Sequence, residues 1–348
     1  MRGAGRLYVN ARFRGRPVSG VERYAVEMLR QFRMPLIEIA PRPHADGFAG
    51  HLWEQFVLPR LVGAGALWSP ANTGPLAVAR QALTIHDLGP LDHPGWYRPT
   101  FAAWYRWLWP RLVDRVRVIL ADSNFTRSRI IARLGLSGDR VRVVRVGVDP
   151  LRFSPRPAGE IEALRRRYGL PKRYVLFVGT LQPRKNLAGL LRAHEITSGT
   201  YPDVGLAVSG DAGPQFVKQA QPAGSGVYFL GRVSGDDLPA LYSGAQVFVQ
   251  PSFYEGAGLT VLEALGCGCP VAAARGSALE EYLGAAGPIF DPAEPTEIAA
   301  AVRPILADPD LREQLKQAGI ERAREYSWAR RAETVEVILE SIRRPGSP

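Results

Sequence analysis

Short apolar runs of strand length recur through this whole chain, with helix-patterned stretches between several of them, and that alternation limits what it can fold into. In the first half the runs fall at residues 6–9, 36–39, 66–68, 82–85, 118–121 and 141–146, and helical patterns occupy 20–32 and 99–114. The second half repeats the style at 174–178, 205–209, 227–230, 245–250, 270–273 and 287–290. Apolar strands alternating with helices pair in parallel, with helices covering both faces of the sheet. Two such sets predict an α/β protein with two Rossmann-like halves. A length of 348 residues suits two cores better than one.

The join is expected within residues 147–172, which hold Pro150, Pro155, Pro157 and Pro171 and a charged helical patch at 161–167. The end of the chain, 297–344, reads as amphipathic helix broken at Asp308-Pro309 and at Tyr326-Ser327-Trp328.

Hydrophobic residues make up 46% of the chain, enough for packed cores. No apolar run reaches eighteen residues, so no membrane span is expected, and the basic start lacks the apolar core of a signal peptide. Cys267 and Cys269, one glycine apart, form neither a zinc nor a redox spacing. A cytoplasmic protein is expected. The net charge of +11 is lopsided: residues 1–170 hold 27 arginines against 13 carboxylates, a surplus of 14. Such a field suits a lipid surface, a phosphorylated acceptor or nucleic acid, and free use of arginine would give the same count.

The densest chemistry is Glu255-Gly256-Ala257-Gly258-Leu259-Thr260-Val261-Leu262-Glu263. A glycine-rich turn runs into a helix between two carboxylates. Its amides and the helix dipole suit an anion, and the carboxylates can accept from hydroxyls on either side of it. A diphosphate between two polyhydroxylated rings, as in a sugar nucleotide, has that form. Gly179-Thr180-Leu181-Gln182-Pro183-Arg184-Lys185 places adjacent cations after a strand, where open α/β sheets bind ligands. Gly210 and the Gly231-Arg232-Val233 turn end the next two strands. In the first half, Gly20 and Val21 open a helix after a flexible loop, His86-Asp87 ends one strand, and Asn72-Thr73-Gly74 follows another. Trp104, Trp107 and Trp109 lie among Arg98, Arg106 and Arg111, a pattern open to either core packing or an interfacial face. Asp236-Asp237 is expected to cap a helix rather than hold a metal.

In this order the segments closely resemble the retaining glycosyltransferases of family 4, enzymes of the GT-B architecture. The similarity covers most of the chain, is strongest over 175–273, and has the E-x7-E element as its signature. It implies two Rossmann-like domains with parallel sheets facing across a cleft. Residues 1–165 would bind the acceptor and 166–326 the nucleotide sugar, and a helix in 327–348 would pack back on the first domain. The resemblance places Glu255 on the donor sugar's hydroxyls, Glu263 on the ribose, and Lys185 with Arg184 on the diphosphate. The backbone from Gly256 through Ala257, Gly258, Leu259 and Thr260 would hold sugar and diphosphate. Thr180, Gly210, Arg232, Val233, Gly20 and Val21 would complete the donor site. His86, Glu255 and Lys185 would be catalytic, and Asn72 and Asp87 would face the acceptor. Many relatives carry arginine at Thr180 and an aromatic residue at Ala257, so this chain departs from the pattern there.

The implied chemistry is a front-face transfer in which a leaving phosphate oxygen takes the acceptor's proton, with no metal or other cofactor. Asn10-Ala11-Arg12-Phe13, Trp53-Glu54-Gln55 and His86-Asp87-Leu88 are similar to the branch that builds bacterial O-antigens and exopolysaccharides, many of them mannosyltransferases. GDP-mannose is then the first donor expected, ahead of UDP- or dTDP-sugars. The acceptor would be a glycan or a polyprenyl-diphosphate-linked glycan. Peripheral contact with the inner face of the cell membrane is expected, and no nucleic acid partner. Rival readings are a GT-B sugar-nucleotide epimerase and a basic nucleic-acid binder; a dinucleotide dehydrogenase is disfavoured, since no G-x-G-x-x-G follows the first strand.

Overall fold

The computed structural model describes residues 5–15, 19–42, 47–211 and 226–343. The chain divides into two compact units. The first comprises the chain up to Asp92, then Pro99–Val146, then Ser327 onward; the second comprises His93–Arg98 and Gly147–Tyr326.

Each unit is built on a six-stranded sheet. The first holds β1 (Leu7–Asn10), β2 (Ile37–Ile39), β3 (Ala66–Ser69), β4 (Gln81–Ile85), β5 (Val118–Ala121) and β6 (Val141–Val143), in the order β2-β1-β3-β4-β5-β6. The second holds β7 (Arg173–Val178), β8 (Val204–Ser209), β9 (Val227–Gly231), β10 (Val247–Gln250), β11 (Val271–Ala274) and β12 (Ile289–Phe290), in the order β12-β11-β10-β7-β8-β9. Every pairing is parallel. The α/β reading therefore holds, with a strand at each of the twelve apolar runs. In β1, β3, β4, β5, β8, β10 and β11 every residue is buried, which is why these runs are apolar throughout rather than alternating. Because the strands are parallel, the turns after β7, β8, β9 and β10 leave the second sheet on one edge.

The division after Val146 lies ahead of the proline-rich stretch, not at 165/166. The Ala158–Tyr168 helix belongs to the second unit, where it buries Leu164 and packs on the Leu238–Gly244 helix. The Trp328–Arg343 helix packs on the Gly20–Gln31 helix and on β3 and β4. Trp328 meets Tyr24 edge to face at 6.0 Å, and Glu336 Oε1 accepts from the Arg33 and Met34 amides, each at 2.6 Å. Residues 344–348 of the expected terminal segment lie outside the described residues.

The tryptophan cluster divides by helix face. On the Pro99–Val113 helix, Trp109 is in the core and donates from Nε1 to the Asn72 carbonyl at 2.8 Å, whereas Trp107 is exposed. Cys267 and Cys269 are buried free thiols, and burial pushes both above the ordinary thiol range. Among the described residues no helix is long and apolar enough to cross a membrane.

Candidate active site

In the second unit β10 ends at Gln250, and the chain turns through Ser252 and Tyr254 to a buried Glu255 before the Leu259–Gly266 helix begins. The neighbouring strand β7 leads into a short 3-10 turn, Pro183–Lys185, which delivers both cations to that carboxylate. Lys185 Nζ lies 2.5 Å from Glu255 Oε1, and Arg184 Nη1 lies 2.7 Å from Oε2 and 2.8 Å from the Tyr254 carbonyl. Ser252 Oγ and Gln250 Nε2 also donate to Oε1, at 2.7 and 3.0 Å. A backbone bond from Phe253 N to the Arg184 carbonyl, at 2.8 Å, joins the two loops.

Burial alone would raise the Glu255 carboxyl. The Arg184 and Lys185 charges outweigh it, with help from the Lys185 and Ser252 bonds, and hold it down to about 2. Glu255 is therefore an ionised acceptor at neutral pH, unable to give a proton. With two cations on one carboxylate, the cluster keeps one positive charge in surplus.

The glycines of the site serve packing as well as access. Gly210 has φ 145°, and a Cβ there would lie 1.8 Å from the Gly179 carbonyl oxygen, so the ends of β7 and β8 meet backbone to backbone. A Cβ on Gly258 would lie 2.6 Å from Tyr282 Cβ, so this glycine lets the Leu259–Gly266 helix approach Leu279–Leu283. Glu263 lies on the buried face of its helix and accepts from Tyr242 OH at 3.2 Å. Gly256 and Val233 are buried, Ala257, Leu259 and Thr260 are half-buried, and Arg232 is exposed. Thr180 Oγ1 accepts from Gln182 Nε2 at 2.5 Å. Asp237 occupies a helix N-cap position without capping it: its carboxylate accepts from Arg167 Nη1 at 2.7 Å and Tyr168 OH at 2.9 Å instead.

The sequence pattern did not reveal that Arg184 and Lys185 both pair with Glu255, nor that Gln250 and Ser252 add to the same carboxylate. It also missed His93, whose ring meets that of Tyr254 at 5.4 Å. No local signal joins a histidine before a Pro-Gly turn to a tyrosine so far along the chain.

In the first unit, Gly20 is the first residue of its helix and is exposed, with Ser19 and Glu22 forming a capping box ahead of it. Residues 16–18 of the preceding loop lie outside the described residues. His86 ends β4 with every polar atom engaged by its own unit. Nδ1 lies 2.6 Å from Asp122 Oδ2, Nε2 lies 2.8 Å from the Pro70 carbonyl, and the backbone N donates to Asn72 Oδ1 at 2.8 Å. Its carbonyl accepts from Thr126 Oγ1 at 3.2 Å, and Tyr24 packs edge-on at 4.8 Å. Burial would lower this imidazole, but the charge and hydrogen bond of Asp122 outweigh it, so its affinity for a proton is raised. The ring thus anchors a strand end, and its partner is Asp122, the residue that follows β5. Asn72 adopts the left-handed conformation at φ 65° to reach the His86 amide, and Asp87 Oδ1 accepts from Gly89 N at 2.9 Å.

Two parallel six-stranded α/β units, the second with a cation–carboxylate cluster at the carboxyl edge of its sheet, place the chain among GT-B glycosyltransferases. Residues 41–152 match the Glycosyltransferase Family 4 model and residues 160–322 match the Glycosyl transferases group 1 model. The chain is 33% identical to the O-antigen chain mannosyltransferase B of Escherichia coli over 265 residues, covering 73% of this chain and 68% of that one. It is 28% identical to the serotype-specific mannosyltransferase WbdA of Escherichia coli over 71% of this chain, and spans about a third of that protein, 32% of its length. HepE of Anabaena, solved with UDP and glucose, superposes with a TM-score of 0.75 over 97% of this chain and 100% of that one, at 17% identity. The chain belongs to the family 4 glycosyltransferases, and it is a transferase.

Proposed function

We propose that this protein transfers a hexose, mannose from GDP-mannose, to a hydroxyl of a glycan or lipid-linked glycan in bacterial surface polysaccharide synthesis, with retention at the anomeric carbon. The observation that carries the donor reading is the Arg184–Glu255–Lys185 cluster beside the N-terminus of the Leu259–Gly266 helix. The Escherichia coli relatives, both named as mannosyltransferases, support the choice of sugar.

In this reading the ionised Glu255 accepts hydrogen bonds from hydroxyls of the donor sugar, and Glu263 accepts from the ribose. Arg184, Lys185 and the helix N-terminus meet the diphosphate and stabilise the charge that grows on it as the glycosidic bond breaks. A phosphate oxygen of the departing group takes the proton of the attacking hydroxyl on the same face of the sugar. The cations supply the charge, so no role is assigned to a metal ion. The protein's work is mainly orientation and electrostatics.

A thermal-shift panel of GDP-, UDP- and dTDP-sugars tests this. GDP-mannose is expected to raise Tm most in the wild type and little in Lys185→Met. Absence of a shift with every nucleotide sugar would remove the donor-site reading; a shift with UDP- or dTDP-sugars alone would remove GDP-mannose.

A further inference from the structure

The strand order reverses at the first strand of each unit: β1 lies between β2 and β3, and β7 lies between β8 and β10. In open parallel sheets the crevice at the carboxyl ends of the strands, where the order reverses, is where ligands bind. In the second unit that place holds Arg184 and Lys185, after β7, against Glu255, after β10. In the first unit it holds another cation–carboxylate pair. Arg12 follows β1, and its Nε lies 3.4 Å from Oε1 of Glu54, on the Gly47–Phe56 helix. The hydroxyl of Thr73, after β3, joins the two: it accepts from Arg12 Nη2 at 2.8 Å and donates to Glu54 Oε1 at 2.9 Å. Asn10 Nδ2 donates to the same oxygen at 2.6 Å. All four residues are buried. The Asn10-Ala11-Arg12-Phe13 and Trp53-Glu54-Gln55 motifs are thus two parts of one network.

Stability does not account for this network. A buried ion pair is worth little over well-packed apolar residues of the same volume. Arg12 Nη1 and Glu54 Oε2 add to its cost, being buried without a hydrogen-bond partner. What the pair holds is the loop after β3. Thr73 follows Asn72, whose left-handed backbone, at φ 65°, persists only where the surroundings fix it. Asn72 N donates to the Thr84 carbonyl at 3.1 Å, its Oδ1 accepts from His86 N at 2.8 Å, and its carbonyl accepts from Trp109 Nε1 at 2.8 Å. His86 Nε2 returns to the Pro70 carbonyl at 2.8 Å. Gln55, beside Glu54, fastens the far end of the loop: it donates to the Gly74 carbonyl at 2.9 Å and accepts from Leu76 N at 3.0 Å.

We propose that Arg12, Glu54 and Thr73 are positioning residues for the acceptor: through the Thr73 hydroxyl, the charge pair fixes the 70–74 loop, so that Asn72 and the end of β4 present a rigid edge to the hydroxyls of an acceptor sugar. The inference rests on the reading of the first unit as the acceptor side. The three residues act on orientation and touch no reacting atom, and a small misplacement of a reactant costs much of the rate. Arg12 and Glu54 cancel in charge, whereas the Arg184–Glu255–Lys185 cluster keeps a surplus cation. The first suits uncharged hydroxyls and the second a diphosphate.

The test is steady-state transfer by the full chain, from the nucleotide sugar that raises Tm most, to p-nitrophenyl glycosides of mannose, glucose, galactose and N-acetylglucosamine. Donor and acceptor KM are measured separately. Thr73→Val removes the hydroxyl and leaves the charges paired. It is expected to raise the acceptor KM about tenfold, with donor KM and the donor's thermal shift as in wild type. Thr73→Ser keeps the hydroxyl and should bring the acceptor KM back to within about threefold of wild type. Glu54→Gln should raise the acceptor KM likewise and also lower Tm, because Arg12 loses its counter-charge. A purely structural role would lower Tm or kcat and leave the acceptor KM in Thr73→Val unmoved, and that result overturns the proposal. So do an equal rise in donor and acceptor KM, and a Thr73→Ser variant that behaves like Thr73→Val. Wild-type protein that transfers to none of the glycosides overturns the sugar-hydroxyl reading of this edge. The donor-site reading fails separately, by the absence of any nucleotide-sugar shift in the wild type.

Discussion

The ammonium of Lys185 lies 2.5 Å from the carboxylate of Glu255, seventy positions along the chain, and Arg184 occupies the other oxygen. A carboxylate held between two cations is fixed in charge and direction. A ligand that draws the cations toward a diphosphate must leave Glu255 a substitute partner, and sugar hydroxyls are suited to that.

Glu255→Ala leaves Arg184 and Lys185 facing each other in a buried site. The expected cost is about 3–5 kcal/mol of stability, together with a loss of kcat/KM of about 100-fold or more. Calorimetry and initial rates measure the two effects separately. Glu255→Gln should lose similar activity and less stability, since it can still accept from Ser252. An unchanged Tm in Glu255→Ala would mean that the carboxylate does not hold the cations.

Acid should reveal the same pair. The Glu255 carboxyl is depressed from 4.5 to about 2, so its contribution is complete above pH 4.5 and is lost as pH falls through about 2. The magnitude is on the order of 3 kcal/mol. In urea titrations, the stability gap between wild type and Glu255→Gln should close over that window and stay level above it.

His86 carries the opposite sign. Its affinity for a proton is raised from an ordinary value of 6.5, so the stabilisation is complete below pH 6.5 and is lost as pH rises through the folded-state value. Wild-type Tm is expected to fall on going to mildly alkaline pH. Asp122→Asn, which removes the charge that sets the shift, should start lower and change less. Parallel profiles would show that the pair does not titrate as a unit.

Backbone contact between the ends of β7 and β8 makes Gly210→Ala severe. The methyl would fall 1.8 Å from the Gly179 oxygen at a φ that L-residues avoid, so a loss above about 2 kcal/mol is expected, along with weaker nucleotide-sugar binding. Gly159→Ala is the control. It lies in the Ala158–Tyr168 helix with nothing within 4 Å, and should be neutral or gain about 0.5–1 kcal/mol. Chemical denaturation compares the two directly.

Much of the fold is legible along the chain because its signals are local. Continuous apolar runs marked all twelve strands, and Asp308-Pro309 and Ser327-Trp328 marked real helix boundaries, since Asp308 caps the Pro309–Arg324 helix and Trp328 opens the last one. The glycine turn between Glu255 and Glu263 was visible for the same reason: turn chemistry and helix start lie within nine residues. The burial of Glu54 in the Gly47–Phe56 helix was not readable in this way, because its counter-charge, Arg12, lies far back along the chain.

The sequence alone determined that the strands are parallel and that cations and carboxylates end them, because periodicity and turn residues act over a few positions. Which strands are neighbours is a tertiary outcome. Only β10 lying against β7 sets Glu255 beside Arg184 and Lys185, and only β5 lying against β4 gives His86 its Asp122. Those contacts span long loops, and their energies come from burial and charge, which no local pattern along the chain records.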